Sequence, residues 1–231
     1  METLILEKKD EVYLTVDAEP SIQRELSEFF TFYVPGYKFM PAFRNRMWDG
    51  KIRMFSQKTK EIYFGLFPYI KAFAEERGYN VVCGEDVDIE NKVSRELVEK
   101  FSNSLGQKFE ARDYQVDAIY HSLKFNRALL LSPTASGKSF IIYSLIRYYT
   151  HLIKDDTNNR ILLIVPTTSL VEQMYSDFSD YSSQDDWSAE DNCHKIYSGK
   201  EKYNINQRVV ITTWQSIYKM QQKYFEQYEL V

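Results

Sequence analysis

Arg-Ala-Leu-Leu-Leu-Ser-Pro-Thr-Ala-Ser-Gly-Lys-Ser, residues 127–139, is the stretch that decides the fold of this chain. A short apolar run ends at Leu131, a loop of small residues follows, and residues 140–149 then have the apolar spacing of a helix. A strand, a small-residue loop, Gly-Lys-Ser and a helix in this order are the layout of a phosphate-binding P-loop. We therefore predict a strand ending at Leu131 and a helix beginning near Lys138.

The predicted loop carries the groups that a polyphosphate needs. Free backbone N–H groups and the positive end of the helix dipole favour phosphate at the start of a helix. Lys138 is the candidate catalytic residue, because its ammonium group can reach the β- and γ-phosphates of ATP, and the hydroxyl of Ser139 can bind Mg²⁺. The loop residues expected around the nucleotide are Thr134, Ala135, Ser136, Gly137, Lys138 and Ser139.

The loop departs from the pattern G-x-x-x-x-G-K-[ST] at its first position. Ser132 stands there, and the pair Ala135 and Ser136 lacks a second glycine. Small side chains permit a tight turn, although glycine enters left-handed backbone regions with less strain. The alternative is a chance Gly-Lys-Ser tripeptide in an ordinary strand-to-helix connection. The flanking strand and helix patterns favour the nucleotide site.

The composition is that of a globular protein with room for one large or two small domains. The 231 residues are 44% hydrophobic and 27% charged, with no long apolar run and no signal peptide. We therefore expect an intracellular, cytoplasmic protein. Cys83 and Cys193 lie far apart and form no metal-ligand cluster with the three histidines, so we expect two reduced thiols with structural roles.

Positive charge is concentrated near the amino terminus, although the net charge of the chain is −4. Residues 38–60 contain seven lysines and arginines against one acid, Asp49. Arginines contact phosphates and aromatic rings stack on bases, so these cations and the aromatics among them are a candidate DNA or RNA surface. Alternatively, the aromatics form a small core and the cations lie on solvated strand faces. The candidate contacts are Arg44, Arg46, Lys51 and Arg53.

We predict a small α+β domain over residues 1–83 and an acidic helical linker over residues 84–107. The linker helix is expected to begin at Ser94, a good capping residue. The elements expected in the domain are a strand at residues 12–16, a helix at 20–33, a hairpin of 51–55 with 61–65, a helix from Pro68 to Gly78 and a strand at 79–83.

Residues 108–231 alternate between helical spacing and apolar strands, which is typical of an α/β fold with a doubly wound parallel sheet. Ligands bind such sheets at the carboxyl ends of the strands, where the predicted P-loop lies. The expected elements after the P-loop helix are a turn at residues 155–159, strands at 161–165, 194–197 and 208–212, and helices that start near Pro166 and Thr213.

Four segments, in this order, resemble the first motor lobe of superfamily 2 helicases. The resemblance implies a RecA-like fold, ATP and Mg²⁺ as cofactors, and Gln115, with Arg112 in the same element, at the adenine. It also implies contacts with the backbone of one nucleic acid strand from Pro166, Thr167, Thr168, Gln173, Thr212 and Thr213. The segments are residues 112–115 (Arg-Asp-Tyr-Gln), 133–139 (Pro-Thr-Ala-Ser-Gly-Lys-Ser), 165–173 (Val-Pro-Thr-Thr-Ser-Leu-Val-Glu-Gln) and 211–216 (Ile-Thr-Thr-Trp-Gln-Ser).

Several of these residues have structural alternatives. Gln115 could be a polar surface residue at a helix start, and Thr167 or Thr168 could cap a helix. We expect Trp214 in the core rather than wedged between bases.

Three amino-terminal segments are similar to phage UvsW-type recombination helicases: residues 35–39 (Pro-Gly-Tyr-Lys-Phe), Phe43 with Arg44, and residues 48–53 (Trp-Asp-Gly-Lys-Ile-Arg). Together with the motor segments, this resemblance covers nearly the full chain. It implies an ATP-driven helicase that remodels branched or forked DNA in recombination and repair inside an infected bacterial host, with RNA as a further candidate substrate. The small domain is implied to contribute to DNA binding.

The motor pattern stops before motif II, because the 231 residues contain no D-E-x-H element and no second motor lobe. In the family these parts bind Mg²⁺, position water and neutralise the transition state. We expect them in the same or a partner chain, and we expect this chain alone to bind ATP weakly and hydrolyse it poorly. Two rival functions stay open: a P-loop kinase, and a non-catalytic nucleic-acid-binding module that responds to nucleotide.

Overall fold

The chain folds as two compact units, Met1–Ile89 and Glu90–Val231. The computed structural model describes residues 2–87, 91–152, 160–197 and 206–231, so the turn predicted at residues 155–159 lies outside the described part. Each unit encloses its own hydrophobic core. Among the described helices, none combines the length and apolarity needed to cross a membrane.

The first unit is a small α+β structure, and its elements were largely predictable. In chain order they are β1 (Thr3–Lys8), β2 (Tyr13–Asp17), α1 (Pro20–Phe29), β3 (Thr31–Tyr33), α2 (Pro41–Arg44), β4 (Lys51–Arg53), β5 (Phe55–Ser56), β6 (Glu61–Tyr63), α3 (Phe67–Arg77) and β7 (Asn80–Cys83). The main sheet has the order β5-β6-β2-β1-β7, with β1 and β7 parallel and the other pairs antiparallel.

Strand alternation builds the core of this unit. Leu4 and Leu6 of β1 and Leu14 of β2 are fully buried, because every second residue of a strand points to the same face. They lie in one cluster with residues of α1 and α3, including Ile22 and Ile70. Both helices have proline in the first turn, and α3 ends at Gly78, whose left-handed backbone (φ 70°) closes it as predicted.

Strands β3 and β4 form a separate two-stranded ribbon, and two predictions made from the sequence were wrong because of it. The helix predicted to reach Tyr33 ends at Phe29, because residues 31–33 pair with β4. The predicted hairpin is limited to β5 and β6, because Lys51–Arg53 pairs with β3 instead. Phe29 and Tyr33 are exposed.

The second unit is an α/β structure whose described strands are all parallel, in the order β11-β8-β10-β9, in agreement with the parallel sheet that the sequence predicted. Its elements are α4 (Arg95–Ser102), α5 (Asp113–Phe125), α6 (Lys138–Leu152), β8 (Arg160–Val165), α7 (Thr168–Tyr181), α8 (Ala189–Asn192), β9 (Cys193–Ile196), β10 (Val209–Thr213), α9 (Trp214–Ile217), α10 (Gln222–Phe225) and β11 (Tyr228–Leu230).

The helix expected in a linker packs inside the second unit. Ser94 caps α4 by accepting a hydrogen bond from the backbone N–H of Leu97 at 3.3 Å. Val98 of α4 is fully buried in one cluster with Val116 and Ile119 of α5. The apolar face of this helix therefore contributes to the core of the second unit.

The strand predicted before the P-loop is absent from the described structure. Residues 128–131 have no strand pairing, and Leu129 and Leu131 are 84% and 90% exposed. A strand requires a neighbour with free backbone groups, and β8 is paired with β10 on one side and with β11 on the other. A cavity of about 480 Å³ lies against this segment, lined by Leu130, Ile161 and Leu230 among others.

Candidate functional site

The P-loop forms a tight turn directly before α6. Ala135 and Gly137 both adopt left-handed backbone, with φ of 64° and 77°. The amides of Phe140 and Ile141 donate hydrogen bonds to the carbonyl of Gly137 at 3.1 and 3.3 Å, which closes the first turn. Since an α-helix leaves its first N–H groups without partners in the helix, this end of α6 can bind an anion.

Lys138 lies folded onto the loop. Its Nζ donates hydrogen bonds to the carbonyl oxygens of Ser132, at 3.1 Å, and of Pro133, at 2.5 Å. The hydroxyls of Ser132 and Ser136 are hydrogen-bonded to each other across the same turn. The ammonium group is therefore held over the concave side of the loop, where phosphate oxygens would compete with the two carbonyls for its protons.

Gln115 joins the start of α5 to the P-loop. Its Oε1 accepts a hydrogen bond from the backbone N–H of Arg112 at 3.0 Å, and its Nε2 donates to the carbonyl of Ser136 at 3.2 Å. The side chain is only 4% exposed, so the alternative of a polar surface residue is wrong. A carboxamide has two N–H donors and two lone pairs, which leaves capacity for a further partner.

Tyr114 strengthens this junction, although nothing in its sequence position distinguishes it from an ordinary residue of the first helical turn. Its hydroxyl donates to the carbonyl of Ser136 at 3.0 Å and accepts from Nη1 of Arg112 at the same distance. A cavity of about 660 Å³ opens beside it, lined by Tyr114 and His121 of α5 and by Thr134 and Ala135 of the loop, among others. Its volume is in the range of small-molecule sites, which is about 300–1,000 Å³.

Ser139 is partly buried and lies near the phenol of Tyr181. Burial raises the pKa of Tyr181, and the Ser139 side chain opposes that rise. The Tyr181 ring packs edge-on against Phe140, with 5.5 Å between ring centroids. Within the described ranges no cluster of three or more His, Cys, Asp or Glu residues could hold a metal ion.

The two segments expected to grip a nucleic acid strand meet at one edge of the sheet. Val165, the last residue of β8, pairs with Thr213, the last residue of β10, so the residues that follow each strand are neighbours. Pro166, Thr168 and Gln173 are exposed. Thr167 is exposed too, and its hydroxyl caps α7 by accepting from the amide of Leu170 at 3.3 Å, which confirms the capping alternative.

Burial argues against Thr212 and Thr213 as surface contacts. Thr212 is 0% exposed and donates its hydroxyl proton to the carbonyl of Ile196, while Thr213 is 4% exposed and shares a hydrogen bond with Ser216. Both faces of β10 are covered, so a hydroxyl there needs an internal partner. The expectation for Trp214 was also wrong: it is 56% exposed at the same edge.

Arg44 and Arg46 lie together in a shallow pocket of the first unit. Lys51 and Arg53 lie on β4, where Nζ of Lys51 is 4.9 Å from the centre of the Tyr33 ring. Arg53 forms an ion pair with Asp49, and its hydrogen bond to that carboxyl lowers the pKa of Asp49. The pocket is lined by Lys38, Phe43, Arg44, Arg46, Met47, Trp48 and Asp49.

The aromatic residues of this region differ in how far they are buried. Phe55 is a core residue, 2% exposed. Tyr37 stacks on Tyr33 with 4.7 Å between ring centroids and meets the ring of Phe43 edge-on. Phe39, by contrast, is 85% exposed.

Comparison with known proteins gives matches along most of the chain. A family model described as type III restriction enzyme, res subunit, matches residues 108–230. A second model, described as DNA helicase UvsW, N-terminal, matches residues 4–84. The two matched ranges correspond closely to the two compact units.

One relative, the ATP-dependent DNA helicase uvsW of Enterobacteria phage T4, is 33% identical over 227 residues, which is 95% of this chain and 43% of that protein. The chain thus spans less than half the length of this relative. A crystal structure of the UvsW helicase from bacteriophage T4 superposes with a TM-score of 0.80 at 32% identity, covering 98% of this chain and 80% of that one. Another crystal structure of T4 UvsW gives a TM-score of 0.80 at 33% identity, covering 97% and 45%.

Proposed function

Since this chain belongs to the family of type III restriction enzyme res subunits, we propose that it supplies the ATP-binding lobe and a DNA-binding domain of an ATP-dependent DNA helicase. The observation that carries the proposal is the junction of Gln115 and Tyr114 with the P-loop carbonyl of Ser136. It joins a purine-recognition element to a phosphate-binding loop within one small region. The phage T4 relative is named as an ATP-dependent DNA helicase, in agreement with this proposal.

In the proposed site different residues bind the phosphates and the adenine of the nucleotide. The amides at the start of α6 and the ammonium of Lys138 bind the phosphates, and Lys138 meets the negative charge that grows as the γ-phosphate leaves. The second N–H of Gln115 and its free lone pair are available to the adenine edge, with Arg112 and Tyr114 holding the element in place.

Mg²⁺ fits the donor set, because the Ser139 hydroxyl is a hard oxygen ligand beside the anion site. When bound, Mg²⁺ would neutralise charge on the phosphates. Ser139 would hold the ion.

DNA contacts are proposed in both units. In the second unit they involve Pro166, Thr167, Thr168 and Gln173, which are exposed at or after the end of β8. In the first unit we propose that Arg44, Arg46 and Lys51 contact phosphates, with Arg53 restrained by Asp49. Phosphate contacts from the first unit together with contacts to one strand from the second suit a substrate with both duplex and single-stranded parts, so we propose branched or forked DNA in recombination and repair.

The proposed organisation follows from these roles. Residues 1–83 act as the DNA-binding domain and residues 108–231 as the first RecA-like motor lobe. The parts that complete hydrolysis would come from the same polypeptide or a partner chain. The relative is a phage protein, so we propose that this protein works in the cytoplasm of an infected bacterium.

ATP binding tests the nucleotide site. A fluorescent ATP analogue with Mg²⁺ is titrated into the wild type, Lys138→Ala and Lys219→Ala. Charge-assisted hydrogen bonds are worth about 1.5–3 kcal/mol, so Lys138→Ala is expected to weaken binding about ten- to hundredfold. Lys219 is an exposed lysine of the same unit, and its removal should change nothing. Equal affinity of wild type and Lys138→Ala would refute the assignment.

DNA binding tests the basic surface. Affinity for a fluorescent forked DNA is measured at several salt concentrations for the triple variant Arg44→Ala, Arg46→Ala, Lys51→Ala. The matched control removes Lys8, Lys9 and Lys60, which pair with Glu11, Glu61 and Asp17. Loss of three phosphate contacts should reduce the slope of log K against log salt by about 2–3 in the first variant and little in the control. Equal slopes would contradict the proposal.

A further inference from the structure

The pocket beside Arg44 and Arg46 has aromatic and apolar walls as well as cations. The pocket is formed by residues 34–50, the segment between β3 and β4. Its lining includes three cations, Lys38, Arg44 and Arg46. The carboxylate in the lining, Asp49, is already neutralised by Arg53. The pocket therefore offers unbalanced positive charge next to an apolar surface.

The walls are held in place by specific contacts. The indole Nε1 of Trp48 donates to the carbonyl of Lys51 at 2.9 Å, which fixes the ring plane. Phe43 meets Tyr37 edge-on at 4.7 Å, and Tyr37 is packed so closely on the backbone that a Cβ at Gly50 would lie 2.3 Å from its ring. Such a preorganised wall loses little side-chain entropy when a flat group stacks on it.

Met47 and Arg46 both lie in the lining of the pocket. Met47 is 80% exposed, although an apolar side chain of this size gains stability from burial. Arg46 is a non-glycine residue in left-handed backbone, with φ of 55°. This backbone ends α2, because the amides of Arg46 and Met47 donate hydrogen bonds to the carbonyls of Phe43 and Ala42 at 3.0 and 2.9 Å.

We propose that this pocket binds an unpaired nucleobase of DNA where a single strand leaves a duplex. The base stacks against Phe43, Trp48 and Met47, and the phosphates on either side of it contact Lys38, Arg44 and Arg46. A planar apolar ring flanked by anions is the chemistry that matches these walls and charges. The inference rests on the proposed function, since it names the part of the DNA that the basic surface recognises.

The test compares a forked DNA with a fully paired duplex of the same length. Base stacking is worth about 1–3 kcal/mol per base, so the wild type should prefer the fork by about five- to hundredfold. Met47→Ala, and Phe43→Leu, which removes the ring but keeps an apolar side chain, should reduce this preference several-fold while duplex affinity stays unchanged. Phe39→Ala, in the same segment but outside the pocket lining, is the matched control and should keep the preference.

The variant Arg46→Gly removes the charge of Arg46 without destabilising the fold. Glycine adopts the left-handed backbone without strain, so this variant should be at least as stable as the wild type yet bind both DNAs more weakly. Placing photoreactive 5-iodouracil at the first unpaired position should give a crosslink within residues 43–48.

The outcomes distinguish the two proposals. Equal, salt-dependent binding of fork and duplex by the wild type would overturn the base pocket and leave the DNA-binding function standing, whereas no binding to either DNA would overturn both. Loss of the preference in Phe39→Ala to the same extent as in Met47→Ala would also overturn the pocket.

Discussion

A Cβ atom at Gly137 would lie 2.2 Å from Nε2 of Gln115. The P-loop and the first turn of α5 are therefore in contact at a point where no side chain fits. Since Gln115 also bonds to the carbonyl of Ser136, movement of either element is transmitted to the other.

Gly137→Ala is expected to destabilise the protein by about 2–3 kcal/mol, because left-handed backbone costs about 1–2 kcal/mol for alanine and the displaced Gln115 loses a buried hydrogen bond of about 1 kcal/mol. Urea unfolding measures the change. Gly36→Ala is the control, since Gly36 has a similar φ of 72° with nothing within 4 Å of its would-be Cβ. An equal loss in both variants would show that the contact with Gln115 contributes nothing.

Ala135→Gly should stabilise the protein, because Ala135 has a φ of 64° that glycine adopts without strain. Relief of about 1–2 kcal/mol is partly offset by about 0.4–1 kcal/mol of extra chain entropy in the unfolded state, which leaves a net gain of about 0.5 kcal/mol. The measurement is the shift of the urea midpoint.

The control for Ala135→Gly is a variant that should lose stability rather than gain it. Ala72→Gly, at an exposed position inside α3, should lose about 1 kcal/mol. If Ala135→Gly also loses stability, the left-handed strain at position 135 is absent.

The two cysteines should react at very different rates. Burial raises the pKa of the Cys193 thiol to about 12, whereas Cys83 is partly exposed. The thiolate is the reactive form, so at pH 8 only about one Cys193 in 10,000 is reactive. Iodoacetamide followed by mass spectrometry should find Cys83 alkylated and Cys193 modified only after unfolding. Rapid alkylation of Cys193 in the folded protein would contradict the structure.

The ion pair of Arg147 with Asp185 should make stability depend on pH in the acid range. Burial acts to raise the pKa of Asp185, but the hydrogen bond and charge of Arg147 outweigh it, so the pKa is lowered. A carboxyl with a lowered pKa stabilises the fold above its ordinary pKa of about 3.9, and this contribution is lost as the pH falls through the lowered value.

Asp185→Asn should therefore cost about 1 kcal/mol at pH 7, a figure reduced for partial solvent screening, and the difference from wild type should shrink below about pH 4. Unfolding free energies at several pH values measure this. Asp186→Asn removes the same charge from the next residue, an exposed one, and should show no comparable difference.

Local signals in the sequence were sufficient for the start of α4, the end of α3 and the tight turn before α6. The cap at Ser94 and the stop at Gly78 depend on residues within one turn, which is why both were predictable. Strand pairing depends on distant residues. Nothing near Leu131 indicates that β8 is paired on both sides, and nothing near Lys51 indicates that β4 pairs with β3.

Burial at the candidate site was harder to predict for the same reason. Strand alternation suggests one exposed face, but β10 lies between two strands with every residue buried, so Thr212 and Thr213 are internal. Gln115 begins a helix, which usually indicates an exposed polar residue, yet the P-loop covers it. The coverage of one element by another is a tertiary property that spacing alone does not reveal.

The open segment before the P-loop has a consequence for how the protein behaves in concentrated solution. Ala128, Leu129, Leu130 and Leu131 form an uncharged apolar run, two of whose side chains are almost fully in water. Unpaired backbone with apolar side chains is a template on which another molecule can add a strand. Preparations of these 231 residues should therefore self-associate as concentration rises, and a charged substitution at Leu129 should improve their solubility.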